Sequence, residues 1–357
     1  MIFSEEKKRI AKKRAIFFFY DIILIFVFVF VMLLIPLFII PMITEERSVL
    51  YGILFYIMRA VFIFIGIPLM IYVTNLIYEP QKKKVIIEED ITPAMGHLKL
   101  FRITKKNYKY QIFYGFLLFF IVFLPIDFFT YLFIPEVLEY QAWVIGARET
   151  NYYLSPFIDD YFIFLISAII IQISVSVTEE TIARGLLTKR GSEYFMKMSA
   201  VIISSLYWGL GHLAYILDIR SWYPVLWFFQ SFIIGIILSL MVLRKMWILP
   251  AIIAHALNNI VAAHTMWNFW QGNSFQAVTF FMYIPLFIIG ILFVTVCLLL
   301  VWPFSSVKRS ISNGFALFKT YFKKDSEEKK IGDTLFRIFF DILIGGLIFL
   351  MGFLIAI

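Results

Sequence analysis

Three polar clusters interrupt the apolar middle of this chain, and they carry side chains that can do acid–base chemistry. They are Glu179-Glu180-Thr181-Ile182-Ala183-Arg184, then Trp208-Gly209-Leu210-Gly211-His212, and then His255-Ala256-Leu257-Asn258-Asn259. Each cluster lies in or at the end of a long apolar run, where an ionisable group is costly and is a candidate functional group. Carboxylates and imidazoles can activate water, and N–H donors can stabilise an oxyanion. The sequence therefore predicts that the clusters converge into one hydrolytic site inside a membrane.

The first cluster contains two acids that we expect to play different roles. Glu180 and Arg184 are four residues apart, which places them on one helix face and favours an ion pair. Neighbouring helix positions differ by about 100°, so Glu179 and Glu180 are not expected to face the same centre. We therefore expect Glu180 to be the carboxylate that is held structurally. Glu179 is the freer acid and the candidate general base that takes a proton from water.

The second cluster also places two side chains four residues apart. Trp208 and His212 share a helix face, and Gly209 and Gly211 are small enough to let a neighbouring helix approach closely. From this position we expect His212 to help Glu179 hold and deprotonate a water molecule.

The third cluster repeats this spacing with an imidazole and a carboxamide. His255 and Asn259 can aim hydrogen-bond donors at one point, which suits a developing oxyanion. At 1.5 Å per helical residue, Glu179, His212 and His255 lie about 15 to 22 Å from the nearest basic turns. All three can therefore share one level of the membrane.

The composition indicates that these clusters lie on helices that cross a membrane. The chain is 62% hydrophobic and 16% charged, whereas a soluble domain is nearer half apolar and a quarter charged. A helix of roughly 20 residues crosses a hydrocarbon core of about 30 Å. Segments of that length lie at residues 16–43, 49–78, 111–134, 161–183, 197–217, 222–243, 247–266, 277–303 and 335–357. The sequence thus predicts an all-α, polytopic transmembrane helical bundle of about nine spans.

The distribution of charge predicts the topology. Six Lys and Arg residues lie within residues 7–14, before a long apolar run without a small-residue cleavage pattern, so we expect a retained signal anchor and a cytosolic N-terminus. The loops then alternate between basic and acidic or nearly neutral, as the positive-inside rule requires. The net charge of +8 follows from this alternation, which disfavours nucleic-acid binding. We expect an integral protein of a prokaryotic plasma membrane whose active site opens to the cytosolic side.

Three regions follow from these assignments. Residues 1–160 form a cytosolic tail and three transmembrane helices with a basic inner loop, residues 161–266 form a four-helix catalytic core, and residues 267–357 form further helices joined by a charged linker. We expect the basic loop to be solvated, with His97 exposed. Two deeper charges, Arg59 and Asp127, are expected to form a structural ion pair.

The clusters resemble the three motifs of the CAAX prenyl protease 2 family, also called the CAAX-protease and bacteriocin-processing (CPBP, ABI) intramembrane protease family. The first motif, Glu-Glu-x-x-x-Arg, is complete as Glu179, Glu180 and Arg184, and the third, His-x-x-x-Asn, is complete as His255 and Asn259. The second motif, an aromatic residue followed four positions later by His, is present as Trp208 and His212, with Trp where Phe is usual. We expect this Trp to alter packing and to leave the chemistry unchanged. The resemblance covers about residues 161–266.

The resemblance implies an intramembrane endopeptidase. Glu179 would activate water with His212, while His255 and Asn259 would stabilise the tetrahedral oxyanion. The substrate would be a membrane-anchored protein or peptide cut near the cytosolic side, and the family name points to prenylated CAAX-type proteins.

Two alternatives remain open at this point. Glu179, His212 and His255 could form a zinc site with one open position, although a His-Glu-x-x-His motif is missing and we favour a metal-free glutamate protease. A non-catalytic membrane protein that binds lipidated peptides or confers bacteriocin self-immunity is the second alternative. The intact set of Glu179, His212, His255 and Asn259 favours the enzyme.

Overall fold

Long helices run through almost all of the chain. A computed structural model describes residues 4–83, 92–217, 221–301 and 304–356. The helices are α1 (Glu5–Met42), α2 (Val49–Lys82), α3 (Pro93–Lys99), α4 (Tyr108–Phe133), α5 (Glu136–Gly146), α6 (Tyr161–Tyr194), α7 (Lys197–Leu217), α8 (Tyr223–Lys245), α9 (Leu249–Trp270), α10 (Phe275–Leu300), α11 (Phe304–Thr320) and α12 (Ile331–Ala356). These described ranges contain no strand, which confirms the all-α prediction.

Each of the nine predicted spans coincides with one of these helices. Eight of them, α1, α2, α4, α6, α7, α8, α10 and α12, are long and apolar enough to cross a membrane. The ninth, α9, has the length but is more polar, because His255, Asn258 and Asn259 lie within it. The protein is therefore an integral membrane protein, and the one predicted span that is less apolar than these eight carries a motif.

The ends of the helices follow from local side chains. Ser48 begins α2 by accepting a hydrogen bond from the Tyr51 backbone N–H, and Asp160 caps α6 in the same way. Pro224 and Pro250 lie in the first turns of α8 and α9, where a missing N–H costs nothing. These caps fix where the site-bearing helices begin.

Helix α6 is the centre of the bundle. It packs between α2 and α9, while α7 packs against its second half and against α8 and α12. At Gly209 an added Cβ would lie 3.1 Å from the Phe228 carbonyl oxygen, so the absence of a side chain lets α7 and α8 approach closely, as predicted. At Gly211 nothing lies within 4 Å, and the same prediction is wrong there.

Buried ion pairs join the helices at the end of the bundle that carries the basic turns. Asp21 lies 2.6 Å from Lys82 and 3.2 Å from Arg190, which ties α1 to α2 and α6. Arg14 lies 2.8 Å from Asp341, which ties α1 to α12. All five side chains are buried. We call this end, formed by α1, the turn after α6 and the start of α12, the basic face.

His97 is not the exposed loop residue that its charged surroundings predicted. It lies in the short helix α3 and is only 2% exposed. Its ring packs on Gly185 of α6, where an added Cβ would be 2.7 Å from the imidazole. The prediction is wrong because the loop folds back onto α6, and burial lowers the pKa of His97 from 6.5 to about 4. Three acids of the same loop, Glu88, Glu89 and Asp90, are outside the described residues.

The segment predicted to be a charged linker before the last span contains a helix. Helix α11 occupies residues 304–320, and the turn after it reaches α1 through a pair between Lys13 and Glu327 and through a 2.6 Å pair between Lys329 and Glu6. The charges of this segment therefore dock on the N-terminal helix.

Candidate active site

The second half of α6 positions the first motif. Immediately after Glu179 and Glu180 the helix widens into a π-helical segment, Thr181–Arg190. Such segments are rare and frequently occur at functional sites. Glu180 is fully buried, and its carboxylate lies 3.1 Å from Arg184 Nε, so the predicted ion pair is present. The Arg184 guanidinium also lies over the Trp208 ring, 4.4 Å from its centroid.

His255 lies between the two acids. Its Nδ1 is 2.9 Å from Glu180 Oε1, and its Nε2 is 3.9 Å from Glu179 Oε2. The two acids do not face one centre, as expected, since each approaches a different nitrogen of the imidazole. A carboxylate can only accept, so Glu180 accepts from Nδ1–H. In this tautomer of a neutral imidazole, the lone pair of Nε2 faces Glu179.

Glu179 is the acid that faces open space. Its side chain is 38% exposed, whereas that of Glu180 is 0% exposed. Its Oε2 accepts a hydrogen bond of 2.7 Å from Trp208 Nε1. Phe, the usual residue of the second motif, has no N–H and cannot donate this bond. Trp208 therefore contacts the candidate base directly in addition to its packing, and the expectation that it leaves the chemistry unchanged stays a prediction.

Trp208 also lies between the two histidines of the motifs. Its ring is edge-on to His212 at 5.1 Å and to His255 at 5.5 Å between ring centroids. His212 Nδ1 is 2.9 Å from the Trp208 carbonyl oxygen, to which it donates. This bond orients the His212 ring and leaves Nε2 as its free nitrogen.

These side chains surround one cavity of about 300 Å³. Glu179, Trp208, His212, His255 and Asn259 all line it, while Glu180 and Arg184 are buried behind the lining. The other lining residues are Tyr56, Arg59, Phe123, Asp127, Tyr131, Gln141, Ile145, Arg148, Asn151, Gln172, Val175, Tyr215, Trp227, Gln230, Ser231, Ile234, Asn258, Ala262 and Met266. The three clusters therefore converge, as the sequence predicted.

Two charged residues of this cavity were given a different role by the sequence. Arg59 and Asp127 do not form the predicted ion pair. Asp127 instead accepts a hydrogen bond of 2.9 Å from Asn258 Nδ2, and Arg59 lies 5.1 Å over the Phe55 ring. The sequence does mark both residues as functional candidates, since they are charged groups inside apolar spans. It does not show how the two helices are rotated, and this rotation turns both side chains toward the cavity.

The cavity extends from Glu179 away from the basic face. On α7 it is lined by Trp208, His212 and Tyr215, in order toward the far end of that helix, and α5 also contributes lining residues. In the opposite direction, Thr181–Arg190 is buried throughout. Among the described residues, the lining contains no residue of the ion pairs at the basic face, and the predicted opening toward the basic loops stays a prediction.

The zinc alternative is not decided by these contacts, and our preference for a metal-free site stays a prediction. Within the described ranges no group of three His, Cys, Asp or Glu side chains is arranged to hold a metal ion. His212 and His255 each donate Nδ1–H to a protein acceptor, and Glu179 accepts from Trp208. Both histidines keep Nε2 free, and metal-bound histidines make the same kind of Nδ1 contact.

A comparison with protein families bears on the same part of the chain. Residues 161–261 match the model described as type II CAAX prenyl endopeptidase Rce1-like. This match confirms the resemblance that the motifs indicated and places this segment, α6 to the middle of α9, in the CAAX-protease family. It supports a CAAX-type intramembrane protease in general. The search of curated proteins gives no match, and the search of solved structures gives none either.

Proposed function

We propose that the protein is an intramembrane endopeptidase in which Glu179 and His255 activate a water molecule. The observation that carries this proposal is the 3.9 Å separation of Glu179 Oε2 and His255 Nε2 at the cavity wall. The distance is too long for a direct hydrogen bond, but a water about 2.8 Å from each atom fits between them at the cavity side. Both atoms accept, so they hold both protons of the water and leave its lone pairs facing a substrate.

In the proposed reaction the water oxygen attacks the carbonyl carbon of a peptide bond while its proton passes to Glu179. The Asn259 side chain, on the face of α9 that His255 shares, donates to the oxyanion that forms. The carbon–nitrogen bond then breaks, and the leaving nitrogen receives the proton that Glu179 took from the water. His212 can relay this proton, because its free Nε2 accepts a proton before passing it on.

The role of His255 in this proposal differs from the one expected from its spacing to Asn259. Its Nδ1 bond to Glu180 holds the ring with Nε2 beside Glu179, and the Arg184 ion pair holds Glu180 in turn. The result is a line of contacts from Arg184 through Glu180 and His255 to the water. A protein that only binds lipidated peptides or confers immunity has no need for two acids on one imidazole.

The substrate we propose is a protein or peptide at the membrane, with prenylated CAAX-type proteins as the first candidates because of the family match. The cavity favours entry from the end of the bundle opposite the basic face.

The test compares the C-termini of membrane proteins from cells that produce the wild-type protein or the Glu179→Gln variant. A Glu139→Gln variant is the matched control, because Glu139 is exposed and does not line the cavity. We expect shortened C-termini with the wild type and the control, and none with Glu179→Gln, whose amide cannot take a proton from water.

Purified wild-type and variant proteins are then assayed on the identified substrate with a chelator present throughout, because the proposed steps use no metal. Cleavage by Glu179→Gln contradicts the general-base assignment. If activity is lost when bound metal is removed and is restored by added zinc, the metal-free mechanism is contradicted.

A further inference from the structure

Arg59 is a charged residue in the cavity that the proposed reaction does not use. It lies on α2, outside the segment that matches the protease family, about three turns from the start of that helix. Its guanidinium is 5.1 Å over the Phe55 ring and belongs to the same cavity lining as Glu179. Arg59, Glu179 and the hydroxyl of Tyr207 are close enough to interact electrostatically.

Arg59 makes no direct ion-pair contact among the described residues, although Glu179 is near enough to act on it electrostatically. Its Nε is buried without a hydrogen bond. The two acids that share the cavity are engaged elsewhere, Asp127 with Asn258 and Glu179 with Trp208. An unpaired charge inside a membrane span destabilises the folded protein, and such residues are usually retained for function.

The shape of the Arg59 guanidinium indicates which kind of ligand it binds. A guanidinium presents parallel N–H donors whose spacing matches the two oxygens of a carboxylate. The cavity, at about 300 Å³, is at the small end of ligand pockets, so it holds a few residues of a peptide. A peptide end fits such a space better than a chain that passes through it.

We propose that Arg59 binds the C-terminal carboxylate of the substrate and thereby sets which peptide bond reaches Glu179. This inference rests on the proposed function for its substrate class. The carboxylate neutralises the buried cation, and its fixed distance from Glu179 defines the number of residues released. A side-chain carboxylate of Asp or Glu has the same chemistry and is the other source of such a group.

The test measures binding, so that it does not depend on proteolysis. Fluorescent farnesylated peptides ending in Cys-Val-Ile-Ala are titrated against purified protein in detergent, carrying Glu179→Gln to prevent turnover. One peptide has a free C-terminal carboxylate, the second a C-terminal amide, and the third an amide with Glu in place of the final Ala. We expect the free carboxylate to bind at least about tenfold more tightly than the amide, as for a hydrogen-bonded charge pair.

Variants of Arg59 assign the preference to this side chain. Arg59→Gln should bind acid and amide equally, and Arg59→Lys should keep part of the preference because it keeps the charge. Arg47→Gln is the control, since Arg47 is 79% exposed and pairs with Glu149 at the surface. Arg59→Gln should not lower the melting temperature, because it removes an unpaired charge.

The proposal is overturned if the free acid and the amide bind equally to protein with Arg59 intact, including the case in which neither binds. It is also overturned if Arg59→Gln keeps the preference. Tightest binding of the third peptide assigns Arg59 to an acidic side chain and refutes the terminal carboxylate. These outcomes are independent of the proteome comparison, in which failure of the proteolytic function appears as unchanged C-termini.

Discussion

The hydrogen bond from Trp208 to Glu179 makes the effect of one conservative substitution predictable. Trp208→Phe restores the residue that is usual in the second motif and keeps an aromatic ring beside Arg184, His212 and His255. It removes the indole N–H that lies 2.7 Å from Glu179 Oε2. If Trp208 acted only through packing, this substitution would be nearly neutral.

The structure gives the size of the expected effect. A hydrogen bond to a charged group contributes about 1.5 to 3 kcal/mol. Because the Glu179 side chain is 38% exposed, water replaces part of the lost bond and the lower value applies. A loss of about 1.5 kcal/mol in the transition state corresponds to a decrease of roughly tenfold in kcat/KM.

The assay is cleavage of a membrane-associated peptide substrate by purified protein, with the folded fraction measured on the same samples. Trp267→Phe is the matched control, because the Trp267 indole also donates a single bond, 2.8 Å to the Ile158 carbonyl, but does not line the cavity. Both variants should lose some stability, and only Trp208→Phe should lose activity per folded molecule. Wild-type activity of Trp208→Phe would refute the role of this bond in holding Glu179.

Two further predictions concern stability. Arg184→Ala leaves Glu180 buried without its ion-pair partner. We expect a loss of about 3 to 5 kcal/mol in the free energy of unfolding, measured as a lower melting temperature in detergent. A change within about 0.5 kcal/mol would contradict a stabilising ion pair between Arg184 and Glu180. His97 has a pKa near 4 in the folded protein against 6.5 ordinarily, so the unfolded chain binds more protons between these values and stability falls as the pH is lowered through this window. From His97 alone, we expect the free energy of unfolding to be about 2 kcal/mol lower at pH 5 than at pH 7. The His97→Leu variant should lack this contribution. An equal pH dependence of the two proteins would show that the imidazole is accessible to protons in the folded state.

The residues of the site could be read from the sequence because a membrane makes polar groups conspicuous. Glu179, His212 and His255 stand out against apolar neighbours, and helical spacing paired Glu180 with Arg184 correctly. The same background made the helices easy to find, since every predicted span coincides with a helix. Depth could also be estimated, because a helix rises by a fixed distance per residue.

The partners across the bundle could not be predicted in this way. Spacing along one helix placed His255 and Asn259 on one face, but it did not show that Glu180 of another helix holds His255. Arg59 and Asp127 were paired because both are charged and deep, yet the rotation of α2 and α4 separates them. His97 was placed in solvent because its loop is charged, and only the packing of α3 on Gly185 buries it.

The sequence by itself determined that this protein is a helical membrane protein with three motifs that resemble those of the CAAX-protease family, because composition and local spacing are properties of single segments. Tertiary structure decided that Trp208 donates to Glu179, that His255 lies between two carboxylates, and that the cavity leads away from the basic face. These features depend on how separate helices rotate and approach one another. Such contacts join residues far apart in the chain, and no local pattern records them.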